Sequence, residues 1–163
     1  MLISSNKHIR IFCTTDPDLI STAELANWSG KLYHLWRSQI DVSPPELARP
    51  GVYILFGRDD AGRPAVYVGE GDNVYRRVRQ QVAMDFIWED AVIFISHDSH
   101  FTSASSKYLE HLLYWHCRKA GIYHVINANV PEKPKLSRAE QLDLEASLAI
   151  IIDLNPRFTK HAF

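Results

Sequence analysis

Four polar residues in the middle of the chain have side chains suited to the hydrolysis of a phosphate ester: Tyr53, Tyr67, Arg77 and Glu110. An arginine is always charged, and its fork of N–H donors matches phosphate oxygens. A glutamate is a natural ligand for a Mg²⁺ ion that keeps most of its waters. A phenol titrates near ~10, so a tyrosine acts as a base at neutral pH only where cationic neighbours lower its pKa.

A predicted β-hairpin would hold the two tyrosines side by side. Residues 52–56 and 65–68 are rich in β-branched and aromatic side chains, which favour strands. The segment between them, 57–64, is dense in turn-forming residues, as expected for a hairpin with a long loop.

A helix is predicted directly after the hairpin, and it would carry Arg77. Asp72 or Asn73 can cap its first turn, because a short polar side chain accepts a hydrogen bond from a free backbone N–H there. Its buried face is indicated by an i, i+4, i+8 stripe of Val74, Val78 and Val82.

The remainder of the chain predicts one more strand and two more helices. The strand covers 91–95, and a helix from about 102 to 119 carries Glu110. A capping box at 137–140 opens the last helix, which Asn155 and Pro156 end. The order of elements indicates an α+β fold, with a small three-stranded antiparallel sheet flanked by helices.

Three segments follow from this pattern: an N-terminal extension at 1–50 that packs on the core, a core at 51–130, and a C-terminal connector and helix at 131–163. The extension begins with a possible short strand at 9–13. A second capping-box pattern, at 21–24, predicts a helix within it, so helical extensions are expected at both ends.

Two triplets in the hairpin carry a family resemblance. Gly-Val-Tyr at 51–53 and Tyr-Val-Gly at 67–69 resemble the paired signature of the GIY-YIG nuclease family, with valine in both isoleucine positions. The family's helix arginine falls on Arg77, and its later glutamate falls on Glu110. The resemblance covers about half of the chain, and the segment before the domain is loosely similar to bacterial stand-alone members.

The resemblance implies a divalent-metal-dependent endonuclease that hydrolyses DNA with Mg²⁺ or Mn²⁺. Tyr53 would be the general base and Tyr67 the second active-site tyrosine. Arg77 would clamp the phosphate, and Glu110 would be the metal ligand. The family's asparagine, which orients the substrate or holds the fold around the site, would be Asn127 or else Asn129.

Further residues around this set are expected to contact the substrate: Gly69, Arg76, Arg79, Gln81 and Asn129. Gln81 departs from the family, which usually has histidine or tyrosine there. Glutamine can hydrogen-bond a water or a phosphate but cannot accept a proton near neutral pH. The alternative hypothesis is therefore a catalytically weak or inactive domain that binds nucleic acid or a protein.

Each of these residues also has a structural interpretation. Strands favour tyrosine, a glutamate at a helix rim can form an ion pair, and asparagine is common in turns. Arg76 and Arg79 fit a solvated helix face. Zinc is a weaker alternative, because His97, His100 and Cys117 lie near other histidines without any CxxC or HExxH motif.

Composition limits the partners. The net charge of −1 gives the chain as a whole no electrostatic attraction to DNA, so affinity must come from a local basic patch, a second subunit or another chain. The 46% hydrophobic content is ordinary for a globular protein, and no apolar run is long enough to span a membrane. Two cysteines and no secretion signal predict a cytoplasmic protein.

Overall fold

The computed structural model describes residues 9–12, 20–42, 44–155 and 157, and Cys13 lies outside them. Within that part, seven strands form one sheet: β1 Ile9–Phe12, β2 Ser21–Leu25, β3 Gly30–Trp36, β4 Gly51–Arg58, β5 Pro64–Gly71, β6 Trp88–Ser96 and β7 His124–Val125. The helices are α1 Val74–Gln80, α2 Ser103–Ala120 and α3 Arg138–Leu154, with short 3-10 helices at Arg37–Val42, Pro45–Leu47 and Gln81–Ala83. The protein is therefore α+β.

The sheet has the strand order β1-β2-β3-β6-β4-β5-β7. All neighbouring strands are antiparallel except β5 and β7, which pair in parallel at Ala65 and Val66. The sheet is larger than the three antiparallel strands that were expected, and those three, β6, β4 and β5, are neighbours within it. The expected hairpin is confirmed, and it places Tyr53 directly opposite Gly69.

The helix expected near the N-terminus is wrong. Residues Ser21–Leu25 form β2, which pairs with β1 along one edge and β3 along the other. Hydrogen bonding to two neighbours outweighs a local capping-box pattern, because tertiary context routinely overrides weak helix propensity. Where the structure describes it, the N-terminal segment thus extends the sheet of the core, and its helical turns are the 3-10 turns after β3.

The other helices follow their sequence signals closely. Asn73 caps α1, because its side-chain oxygen accepts the backbone N–H of Arg76 at 3.0 Å. The valine stripe is shorter than expected, since α1 ends at Gln80 and Val82 lies in the following 3-10 turn, 39% exposed. α2 ends at Gly121, whose φ of 64° is left-handed. The capping box at Ser137 and Glu140 begins α3 as expected.

Helices cover the sheet on both faces, and strand alternation sorts the core into two layers. Val52, Ile54, Val66 and Val68 pack with α2 in one buried cluster. Tyr53, Leu55 and Ala65 belong to the other cluster, together with Val74 and Val78 of α1. No helix in the described part of the chain is both long and apolar enough to cross a membrane.

Candidate active site

Tyr53 is held in the centre of the sheet, on the face covered by α1. Its side chain is fully buried, and its hydroxyl has no hydrogen-bond partner among the described residues. The ring lies over Gly69, where a Cβ atom would come within 2.3 Å of the Tyr53 hydroxyl oxygen. Gly69 is therefore required by this close approach, and the two signature triplets position each other.

Burial is the main reason that the pKa of Tyr53 is raised well above its usual range. The nearby Tyr67 also raises it, and its ring centroid lies 6.3 Å from that of Tyr53. The Arg77 guanidinium lowers this pKa, whereas Glu110 raises it further. The phenol is therefore protonated at neutral pH in the chain alone, which opposes the base role expected for it.

Arg77 is exposed on α1, beside the strand that carries the second triplet. Its aliphatic stem packs closely over Gly71, because a Cβ atom added at position 71 would come within 2.9 Å of the Arg77 Cβ. The guanidinium is only weakly engaged within the protein, with Nη1 3.5 Å from the Gln80 side-chain oxygen. Its donors therefore remain available to a phosphate.

Glu110 lies half-buried on α2, and its pKa is raised to about 7. Burial is the first cause, and repulsion from the Glu70 carboxylate is the second. Arg77 and Lys107 act in the opposite direction without cancelling these effects. Burial and the Glu70 carboxylate therefore outweigh the two cations in their effect on this pKa.

The four residues expected to form a site come together at the outer part of β5. Tyr53 and Tyr67 lie with the α1 side of the sheet and Glu110 lies on the α2 side, yet Glu110 and Arg77 both act on the Tyr53 hydroxyl. The Tyr53 ring lies close over β5 at Gly69, where an added Cβ would meet its hydroxyl. The strand is also open there, since β7 pairs only with Ala65 and Val66.

The two candidate asparagines differ in their contacts. The Asn127 side-chain oxygen accepts the Val68 N–H at 3.0 Å, and its Nδ2 donates to the Val68 carbonyl at 2.7 Å. The Asn127 side chain thus pairs with the Val68 backbone as a neighbouring strand would, and it holds β5 one position before Gly69. Its polar atoms are consumed by this contact, which makes it a fold-holding residue, whereas Asn129 is exposed in the connector.

Gln81 is buried in the 3-10 turn after α1, 7% exposed. Its backbone carbonyl accepts the indole N–H of Trp88 at 3.2 Å, and its side chain lies near enough to the Tyr53 hydroxyl to oppose the rise in that pKa. Gln81 therefore belongs to the site, as a neutral group below Tyr53.

The two other arginines of α1 differ from Arg77. Arg79 forms an ion pair with Asp41 of the 3-10 helix Arg37–Val42, with Nη2 3.2 Å from Oδ1. Arg76 is exposed and lines a shallow depression of ≈ 220 Å³ together with Arg77 and Gln80. Arg76 can therefore contact a substrate next to the site, and Arg79 is an exposed ion-pair residue.

The described residues contain no group of three or more His, Cys, Asp and Glu side chains arranged to hold a metal ion. Such a cage is not required for Mg²⁺ or Mn²⁺, which keep several waters and use one or two carboxylates plus substrate oxygens. A half-buried Glu110 beside a second carboxylate, Glu70, fits this kind of ion. Cys117 is buried and its pKa is raised to about 12, so it is not a reactive nucleophile.

Sequence reasoning missed three residues next to Glu110. Glu70 follows Gly69 directly, and Ser106 and Lys107 precede Glu110 by about one helical turn. The sequence did offer one signal for Glu70, because it is a carboxylate at the end of an apolar strand, next to the glycine of the second triplet. Its nearness to Glu110 became visible only in the fold, which packs α2 against β5.

Comparison with known proteins adds nothing further to these observations. No protein-family model matches the sequence, and neither the curated proteins nor the solved structures contain a match. The likeness to GIY-YIG nucleases therefore depends on the two triplets, on Arg77 and Glu110, and on the geometry that surrounds them.

Proposed function

We propose that this protein is an endonuclease that hydrolyses DNA phosphodiester bonds with the help of Mg²⁺ or Mn²⁺, using a GIY-YIG-type site. The observation that carries the proposal is that Tyr67, Arg77 and Glu110 all lie near enough to act on the buried hydroxyl of Tyr53. Strand tyrosines or a helix-surface arginine, taken alone, have ordinary structural explanations. A shared electrostatic environment across two faces of a sheet is harder to explain without a common ligand.

Hydrolysis requires three contributions from such a site. A water oxygen bonds to phosphorus while it loses a proton, the ester P–O bond breaks, and the leaving oxygen gains a proton. The exposed Arg77 fork can neutralise the phosphate and the charge that develops on it. Glu110 would hold the metal ion, which neutralises negative charge and acidifies bound water.

The role of Tyr53 depends on its protonation. The pKa of its phenol is raised in the chain alone, so at neutral pH the hydroxyl is a hydrogen-bond donor. A base role requires additional positive charge near Glu110, which would lower that pKa. The nearby neutral side chain of Gln81 opposes only a small part of that rise.

Gln81 and Tyr53 also favour a second function. A buried Gln81 that cannot accept a proton, beside a phenol whose pKa is raised, also suits a domain that binds nucleic acid or a protein without cutting. With a net charge of −1, either function would draw DNA affinity from a second subunit or another chain.

A plasmid-nicking assay with Mg²⁺ or Mn²⁺ separates these functions, and the chain offers matched controls. Tyr33 is also buried, also lacks a hydrogen-bond partner for its hydroxyl among the described residues, and pairs with the same residue, Ile93, as Tyr53 does. Tyr53→Phe should reduce nicking about 100-fold, whereas Tyr33→Phe should leave it unchanged.

The charged residues of the site also have matched control variants. Arg77→Ala and Glu110→Gln should each reduce nicking about 100-fold, whereas Arg76→Ala should cost only a few-fold and Glu89→Gln, an exposed carboxylate on β6, nothing. Equal nicking by the wild type and the Tyr53, Arg77 and Glu110 variants would refute the nuclease. DNA binding without nicking by the wild type would support the binding domain instead.

A further inference from the structure

Glu70 is positioned by both sides of the fold to act with Glu110. It follows Gly69 on β5 and pairs in register with Val52, so alternation places it on the same face as Val66 and Val68, against α2. There the hydroxyl of Ser106, which is fully buried, lies 3.0 Å from Glu70 Oε2. Ser106 and Glu110 are four residues apart on α2 and therefore share one side of that helix.

Two carboxylates and two cations act on one another at this place. Glu70 and Glu110 are near enough to repel each other, and Arg77 and Lys107 oppose that repulsion at Glu110. Both carboxylates are half-buried, whereas both cations are exposed. A cation or a proton between two neighbouring half-buried carboxylates removes their mutual repulsion.

An independent observation points to a ligand at the same place. The Tyr53 hydroxyl is fully buried and has no hydrogen-bond partner among the described residues, although buried polar groups are nearly always satisfied. It lies over Gly69, the residue before Glu70, and it feels the charge of Glu110. A water molecule on a bound cation would give this hydroxyl a partner.

We propose that Glu70 is a second carboxylate ligand, so that Glu70 and Glu110 together hold one divalent cation in the free protein. This inference rests on the proposed metal-dependent function and names a ligand that the family resemblance does not supply. Mg²⁺ and Mn²⁺ accept two carboxylates and fill their remaining positions with water and substrate oxygens. Ser106 is then the positioning residue that fixes the orientation of Glu70.

Binding of Mn²⁺ alone to the full chain, followed by electron paramagnetic resonance of the free ion, tests the pair without reference to activity. The wild type should bind one Mn²⁺. Glu70→Gln and Glu110→Gln should each weaken binding at least ~10-fold, and Glu89→Gln should not change it. Glutamine preserves the shape of Glu70 and can still accept the Ser106 hydroxyl, and circular dichroism checks the fold.

The outcomes distinguish this inference from the proposed function. If Glu70→Gln binds Mn²⁺ as the wild type does while Glu110→Gln does not, Glu70 is not a ligand, and the nuclease proposal stands. If the wild type binds no Mn²⁺, the paired site is refuted. If the wild type and the variants bind as expected but the wild type nicks no DNA, the cation site stands and the nuclease proposal fails.

Discussion

Two carboxylates in this protein are removed from water, and their pKa values move in opposite directions. Asp90 on β6 is 4% exposed, and its pKa is lowered. Glu110 on α2 is half-buried, and its pKa is raised to about 7. Burial is the first cause in both cases and raises both values, so burial alone does not explain the difference.

The difference lies in the partners. Asp90 Oδ2 lies 2.8 Å from His34 Nε2 and accepts a second contact from the Arg157 guanidinium, which also covers the ring of Phe56. Glu110 instead faces a second carboxylate, Glu70. A structural carboxylate is thus neutralised by the chain itself, whereas the candidate site leaves a charge for something else to neutralise.

The largest expected effect is at the neutralised carboxylate. Asp90→Ala should lower the free energy of unfolding by about 3 kcal/mol at pH 7, because it leaves His34 and Arg157 without their shared partner. This is the low end for a buried pair, since both partners keep about a third of their side-chain surface exposed. Urea unfolding measures the loss, and a loss below about 1 kcal/mol would show that Asp90 contributes little.

The pH dependence of that loss is set by the sign of the shift. The folded-state pKa of Asp90 lies below its unfolded value of 3.8, so its contribution is present above that pH and is lost as the pH falls through the folded value. Wild type and Asp90→Ala should therefore converge in stability at the acid end. The control is Glu89→Gln, at an exposed neighbour on β6, which should change stability by less than about 0.5 kcal/mol.

The next effect tests the close approach of the Tyr53 ring to Gly69. Gly69→Ala forces the Tyr53 ring to move, because a Cβ would come within 2.3 Å of its hydroxyl oxygen, and should cost about 2 kcal/mol. Nicking should fall with it. In a Tyr53→Ala background the same substitution should cost clearly less, and equal costs in the two backgrounds would show that Tyr53 does not require this glycine.

The third substitution, Glu110→Gln, should raise the free energy of unfolding, whereas the first two lower it. The folded pKa of Glu110, about 7, exceeds its unfolded value of 4.5, so the folded state holds an extra proton between these values and stability falls as the pH rises through that window. Without divalent ions, Glu110→Gln should therefore stabilise the protein at pH 8. After allowance for solvent screening of a half-exposed group, the expected gain is about 1–2 kcal/mol.

At pH 5 that gain should nearly vanish, because Glu110 is protonated in the folded state. Urea unfolding at the two pH values makes the measurement, with Glu89→Gln as the flat reference. Added Mn²⁺ should stabilise the wild type at pH 8 and leave Glu110→Gln unaffected. A loss of stability in Glu110→Gln at pH 8 would mean that Glu110 is compensated as Asp90 is.

The smallest effect concerns the link between Glu70 and α2. Ser106→Ala removes a hydroxyl that lies 3.0 Å from Glu70 and 2.9 Å from the Ser103 carbonyl, and should cost about 0.5–1 kcal/mol. Mn²⁺ affinity should fall only a few-fold, less than in Glu70→Gln. An undiminished affinity would limit Ser106 to a role in helix stability.

The sequence predicted the parts of the fold that depend on local signals. The hairpin, the Asn73 cap, the end of α2 at Gly121 and the start of α3 at Ser137 all follow from side chains close in the sequence. The strand Ser21–Leu25 could not be predicted in that way. Its hydrogen bonds go to β1 and β3, and no local pattern records which strands will meet.

The candidate site was likewise predictable only where it depends on spacing in the sequence. The motif register singled out Tyr53, Tyr67, Arg77 and Glu110, and in the structure the last three lie near enough to act on the Tyr53 hydroxyl. The neighbours that decide charge could not be found from spacing. Glu70 meets Glu110 only because α2 packs against β5, and the pKa of Tyr53 rises because the fold encloses it.

The clamp formed by Asn127 on Val68 has a consequence for self-association. An open sheet edge can recruit strands from other copies of a chain and so lead to aggregation. Here β7 covers β5 at Ala65 and Val66, and the amide of Asn127 occupies both backbone groups of Val68. Within the described residues, the stretch of β5 left open by these contacts is confined to its last few residues, and a short open edge offers few backbone groups to a foreign strand.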